Sequence, residues 1–148
     1  MTAKPDPAAR VFFRQAEASP LFAAAIGAAS QARCEPSGSD RSFVAAYTAR
    51  NGNTLRVARD ERIEYSDQEA RFVVPPGEPP LLLLQRAERA GFGAAGCGID
   101  WTRPEVSAGE GPVGEATTVY RGDVCNCQAR IQRNASGVVV VLGLRSTC

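Results

Sequence analysis

The sequence predicts one α+β domain. The expected order is an N-terminal helix, an antiparallel meander of about four strands, a short covering helix, and a C-terminal β-hairpin with cysteines on its core face. Three observations carry this expectation. Apolar and polar residues alternate on both sides of Asn134-Ala135-Ser136-Gly137. Asn51-Gly52-Asn53, a hairpin signal, separates two more alternating runs. Leu81 to Ala90 reads as a helix bounded by prolines and by Gly91.

The N-terminal segment has two readings. Lys4, Arg10 and Arg14 precede an apolar stretch from Leu21 to Ala29, and Ser30-Gln31-Ala32 offers small residues before Arg33. That layout fits an export signal over residues 1–32, with a mature domain over 33–148. The same residues fit an amphipathic helix over about 8–32, with Phe13, Leu21, Ala25 and Ile26 turned to the core and Pro20 near a helix start.

The loop Glu35-Pro36-Ser37-Gly38-Ser39-Asp40 comes next. A three-residue turn at Asn51-Gly52-Asn53 places Phe43, Ala45, Tyr47 and Ala49 on one face with Leu55 and Val57. That register buries the larger apolar set. A second hairpin is expected with Arg62 to Tyr65 and Arg71 to Val74 as strands and Ser66 to Glu69 as the turn. Pro75-Pro76-Gly77-Glu78-Pro79-Pro80 ends it, because proline cannot donate to a ladder. Gly91 to Gly114 reads as irregular. Val119 to Arg133 and Val138 to Cys148 form the last pair, with Ala135 and Ser136 at the turn centre and Ile131 facing Val140. One face then carries Cys125, Cys127, Ala129, Ile131, Val138, Val140, Leu142, Leu144 and Cys148.

The chain has 148 residues, 17 basic and 16 acidic side chains, and no histidine. Without an imidazole base, Ser-His-Asp and Cys-His catalysis and histidine metal sites are excluded. A formal net charge of +1 offers no field for a polyanion, so nucleic acid is not an expected partner. No apolar run is long enough for a transmembrane helix.

The five cysteines are Cys34, Cys97, Cys125, Cys127 and Cys148. No CxxC knuckle is present. A cysteine at the last residue suits a staple for a terminus, which favours two disulfides in an exported protein, secreted or periplasmic, over reduced cytoplasmic thiols. Cys148 is expected to pair with Cys125 or Cys127 and Cys97 with the other, leaving Cys34 odd. A direct Cys125–Cys127 bridge would strain a very small ring. The competing reading puts Cys125 and Cys127 on one strand face as thiolates for a soft metal ion or for redox chemistry.

Other motifs carry less. Gly91-Phe92-Gly93-Ala94-Ala95-Gly96 matches GxGxxG, yet a helix rather than a strand precedes it. Arg121-Gly122-Asp123 reads as a turn, and the sequon Asn134-Ala135-Ser136 coincides with a hairpin loop. Asp100, Glu105, Glu110 and Glu115 have no spacing that fixes a carboxylate pair. Arg56, Arg59 and Arg62 interleave with Asp60, Glu61 and Glu64, which describes a solvated face.

Together these features point to an exported, disulfide-stabilised binding or inhibitory domain for a protein or small-molecule ligand, with no cofactor and no enzymatic constellation. The expected binding loop centres on Phe92, Ile99, Asp100 and Trp101, the only tryptophan. A structural subunit that docks through its N-terminal helix is the remaining alternative.

Overall fold

The computed structural model describes residues 7–27, 41–93, 96–108 and 116–148. Its elements are α1 (Pro7–Ala18), α2 (Pro20–Ala25), β1 (Ser42–Thr48), β2 (Thr54–Asp60), β3 (Tyr65–Arg71), α3 (Pro80–Phe92), β4 (Glu105–Ala108), β5 (Ala116–Arg121), β6 (Gln128–Arg133) and β7 (Val139–Thr147). The strands form one antiparallel sheet in the order β1-β2-β3-β7-β6-β5-β4. The chain winds through a three-stranded meander and crosses by α3 to the far edge. It then meanders back until β7 closes against β3.

The helices cover one face of this sheet. Directly opposed residues build a buried row across it: Tyr47, Leu55, Ala70, Leu144, Ala129 and Tyr120. Phe12 and Ala16 of α1, Leu21 and Ala25 of α2, and Leu84 and Ala87 of α3 complete a single core with these strands. The Phe12 ring stacks on Phe43 at 5.4 Å. The α+β class and the single domain are therefore as expected.

The N-terminal segment divides at Ser19, whose hydroxyl caps α2 by accepting the Phe22 N–H at 3.1 Å, with Pro20 at the first helical position. Leu21, Ala25 and Ile26 are buried, and Phe13 is half-buried against the core. Residues 28–40, including the Glu35–Asp40 loop and Cys34, lie outside the described residues.

The first hairpin has the expected register, with Tyr47 opposite Leu55 and Ala45 opposite Val57. The second does not. Glu61 to Glu64 form the turn, and the polar run from Tyr65 to Arg71 is β3 itself. Two features override its poor strand propensity. Asp60 ends β2 by accepting the Arg62 N–H at 3.0 Å, and Glu64 takes a left-handed φ of 51°. β3 is then hydrogen-bonded on both sides, by β2 and β7.

Three further corrections concern the second half. α3 continues through Gly91 and ends at Gly93, whose φ is 88°. Gly91 is a packing residue, since a Cβ there would lie 2.8 Å from Leu21 Cδ1. β4 lies within the stretch read as irregular. Val119 to Arg133 is not one strand, because residues 122–127 turn between β5 and β6.

The C-terminal hairpin keeps its faces but shifts its register. Ile131 faces Leu142 rather than Val140, and Ala129 faces Leu144. A bulge at Gln132/Arg133 leaves Val140 without an opposite residue and exposed rather than buried, and Val138, in the turn before β7, is exposed as well. A shift of two residues preserves side-chain parity, which is why Leu142 and Leu144 still reach the core.

Candidate functional site

Two regions concentrate chemistry among the described residues. The first is the junction between α3, its following loop, and the β5–β6 turn. Cys97 pairs with Cys127, and Cys125 pairs with Cys148, with Cα–Cα distances of 5.8 and 4.5 Å. This is one of the two pairings expected from the sequence. The premise of a shared strand face is corrected, however. Cys125 and Asn126 sit in a turn with left-handed φ values of 52° and 47°. Cys127 is buried, Cys125 half-buried, and Cys148 exposed. In this structure all four sulfurs are in bridges, so none stands as a free thiolate. No group of three or more metal-ligating side chains occurs among the described residues.

Glu88 of α3 organises this junction. Its buried carboxylate accepts the Cys97 N–H on Oε1 at 2.9 Å and the Trp101 indole N–H on Oε2 at 2.9 Å. A Cβ on Gly96 would collide with the same carboxylate. Gly122 has a similar role, since its Cβ would lie 2.6 Å from the Cys97 carbonyl oxygen. The glycines of the GxGxxG match therefore have separate structural causes: helix packing at Gly91, a helix stop at Gly93, and room for Glu88 at Gly96. Ala94 and Ala95 lie outside the described residues.

The residues expected to bind are placed unequally. Ile99 is buried, while Phe92 and Trp101 are half-buried against the core, with the Trp101 ring 5.2 Å from Tyr120. Asp100 is exposed and accepts the Thr102 hydroxyl at 2.6 Å and the Thr102 N–H at 3.0 Å. The Thr102 hydroxyl, more than any other contact, holds the Asp100 carboxyl below its ordinary pKa. Glu105 is engaged by Arg121 at 2.7 Å, while Glu110 and Glu115 fall outside the described residues. The loop thus presents Asp100, Thr102 and Arg103 outward and keeps its apolar groups inside.

The second region is the sheet face opposite the helices. Its central strands bring Arg56, Glu69 and Arg145 into one row, and Arg71, Gly143 and Arg130 into the next. Asp67, buried on this face, accepts from Arg145 Nε at 3.0 Å, Arg145 Nη2 at 3.2 Å and the Thr147 hydroxyl at 2.8 Å. That contact raises the Arg145 pKa above its ordinary value. Arg71 pairs with Glu69 at 3.0 Å. Among the described residues, Arg56 and Arg130 have no ion-pair partner. A hollow of about 40 Å³ opens over Gly143, walled by Arg71, Arg130, Arg145, Glu69, Gln128 and Val141.

Sequence reasoning missed this face, because its charges come from strands far apart in the chain. The one stripe considered, Arg56, Arg59 and Arg62, does not form. Arg59 turns to the helix side, where it lies 5.6 Å from the Phe12 ring centroid and donates to Gln15. Arg62 folds back onto Asp60, and its hydrogen bonds lower the Asp60 pKa.

In comparisons with protein-family models, curated proteins and solved structures, no match to this chain is found. No helix among the described residues is long and apolar enough to cross a membrane.

Proposed function

We propose that this chain is a disulfide-stapled, non-enzymatic binding or inhibitory domain that works in an oxidising compartment outside the cytoplasm. The observation that carries this reading is the pair of bridges, Cys97–Cys127 and Cys125–Cys148. They staple the loop after α3 and the residue that follows β7 to the same six-residue turn region, as suits a domain exposed to extracellular conditions. The two buried carboxylates, Asp67 and Glu88, are occupied by internal donors and so serve the fold. The surface best suited to recognition is the sheet face opposite the helices, which no element among the described residues covers and which is polar, broad and built on hydrogen-bonded strands.

The helical packing argues that α1 and α2 stay with the mature domain. Loss of residues 1–32 would strip Phe12, Leu21 and Ile26 from the core. The apolar sides of both helices face their own sheet, which weakens the alternative of a subunit docking through them.

The test is intact mass and peptide mapping of natively expressed protein, alkylated before reduction. Both bridges intact in the native protein support the reading, and retention of α1 and α2 shows that these helices belong to the folded domain. Alkylation of all the cysteines before reduction would overturn it.

A further inference from the structure

The hollow over Gly143 has no explanation in the fold's own requirements. Gly143 is the middle residue of a directly opposed triplet, Arg71–Gly143–Arg130. Its φ is not left-handed. A Cβ built there would meet only the Ala70 carbonyl oxygen, at an ordinary 3.5 Å. Neither backbone strain nor crowding calls for glycine, although glycine weakens a strand interior and a β-branched residue would stabilise it. A glycine so placed leaves space on the open side of the sheet. In strands, such a residue marks a bulge, a tight bend or close approach by a ligand or another chain, and here Gly143 sits in regular register with both neighbours, away from the bulge at Gln132/Arg133.

The walls of that space select its occupant. Three guanidiniums and one carboxylate surround it. Arg145 is held by Asp67 and Arg71 by Glu69, which leaves Arg130 as the cation without an ionic partner among the described residues. Arg71 and Arg130 lie on strands either side of β7, roughly 10 Å apart at the backbone, so both forks can converge over the glycine. About 40 Å³ is room for several waters or one small head group, since a single water needs about 10–15 Å³. One unpaired guanidinium balances one negative charge, and the Glu69 carboxylate in the wall repels a dianion. A carboxylate matches the Arg fork in two parallel hydrogen bonds. The floor is shallow and continuous with a polar sheet, so the group arrives on a protein surface that covers the face.

We propose that Arg71, Gly143, Arg130 and Arg145 form a cradle for one carboxylate side chain of an acidic partner segment. The proposal rests on the reading of this chain as a binding domain and names the chemistry of its ligand. Arg130 supplies the principal fork. Gln128 adds an amide donor. Arg71 exchanges part of its Glu69 contact for the incoming carboxylate.

The experiment is an NMR titration of the disulfide-intact, isotope-labelled chain with an acetylated, amidated tetraglutamate peptide, and separately with inorganic phosphate, at low salt. Saturable shifts centred on Gly143 and Arg130 are expected with the peptide and weaken as salt is added. Arg130→Gln is expected to weaken peptide binding roughly ten-fold. Gly143→Val is expected to abolish it while raising or preserving thermal stability, which separates a filled hollow from a misfolded protein. Arg50→Gln, at the tip of the first hairpin, is expected to leave binding unchanged. Absence of saturable peptide binding, tighter binding of phosphate, or retained peptide affinity in Gly143→Val would each overturn the cradle. None of these results alters the disulfide mapping that tests the broader reading.

Discussion

Glu88 accepts from two donors, the Cys97 N–H and the Trp101 indole N–H. Glu88→Ala strands the buried Cys97 N–H and frees the part-buried indole N–H, with an expected loss of about 1–3 kcal/mol for the buried donor. Chemical denaturation measures the loss, and Trp101 emission reports whether the indole has gained contact with water. A wild-type midpoint with unchanged emission would show that the loop does not depend on this carboxylate. Gly122 is constrained by space, since its Cβ would press on the Cys97 carbonyl and on Ile99 Cγ1 at 3.1 Å. Gly122→Ala is therefore expected to destabilise by about 1–3 kcal/mol, while Gly137→Ala, with nothing near its Cβ, is limited to the cost of its left-handed φ of 79°. Asp100 titrates below the ordinary carboxylate range because Thr102 stabilises its ionised form. Its contribution is present above the unfolded-state pKa and is lost as pH falls through the lowered native one. Thr102→Val is expected to move the Asp100 midpoint upward in a carboxyl NMR titration, and an unmoved midpoint would assign the shift elsewhere.

The two bridges share the β5–β6 turn, yet they do different work. Cys125–Cys148 pins the end of β7 to the β5–β6 turn across 23 residues of chain, and its loss is expected to cost about 2–4 kcal/mol. Cys97–Cys127 spans 30 residues and is buried at both ends, so Cys97→Ala with Cys127→Ala adds a packing defect to the lost cross-link. Urea unfolding of the two double variants should rank the buried bridge as the costlier one. Equal midpoints would mean that chain entropy alone sets their value. The same elements show where a linear reading succeeds. Asn51-Gly52-Asn53 and Asn134 to Gly137 were legible as turns because their chemistry is local: Asn51 Oδ1 accepts the Asn53 N–H, and Asn134 Oδ1 accepts those of Ser136 and Val138. β3 was not legible, because Ser66 to Glu69 has turn composition. It becomes a strand only through neighbours on both sides. The sheet face opposite the helices was equally hidden, since Arg71, Gly143 and Arg130 come together through pairing between distant strands.

The core spans the whole chain, from Phe12 to Leu144. Phe12, Leu21 and Ile26 are buried, and their side chains together contribute roughly 5–9 kcal/mol, comparable with the total stability of about 5–15 kcal/mol of an ordinary domain. A chain lacking residues 1–26 is thus expected to lose its cooperative unfolding transition, and calorimetry checks this. A sharp transition in the truncated chain would show that the helices are dispensable. Direct pairing also has its own long-range logic. Asn53 is buried between layers, donating to the Ala25 carbonyl at 3.0 Å and accepting from the Val73 N–H at 2.8 Å, so it joins the hairpin to both α2 and the chain after β3. From the residues in order, one could read the α+β class, the inward faces of β1, β2, β6 and β7, the covering helix, and a two-bridge framework that included the observed pairing. These depend on periodicity, turn chemistry and parity, which near neighbours impose. The placement of β3 and β4, the bulge that exposes Val140, the occupied state of Glu88, and the arginine-walled hollow depend on contacts between residues far apart in the chain, such as Asp67 and Thr147, separated by 80 positions. Such contacts exist only once the strands have chosen their partners, so no local pattern could have shown them.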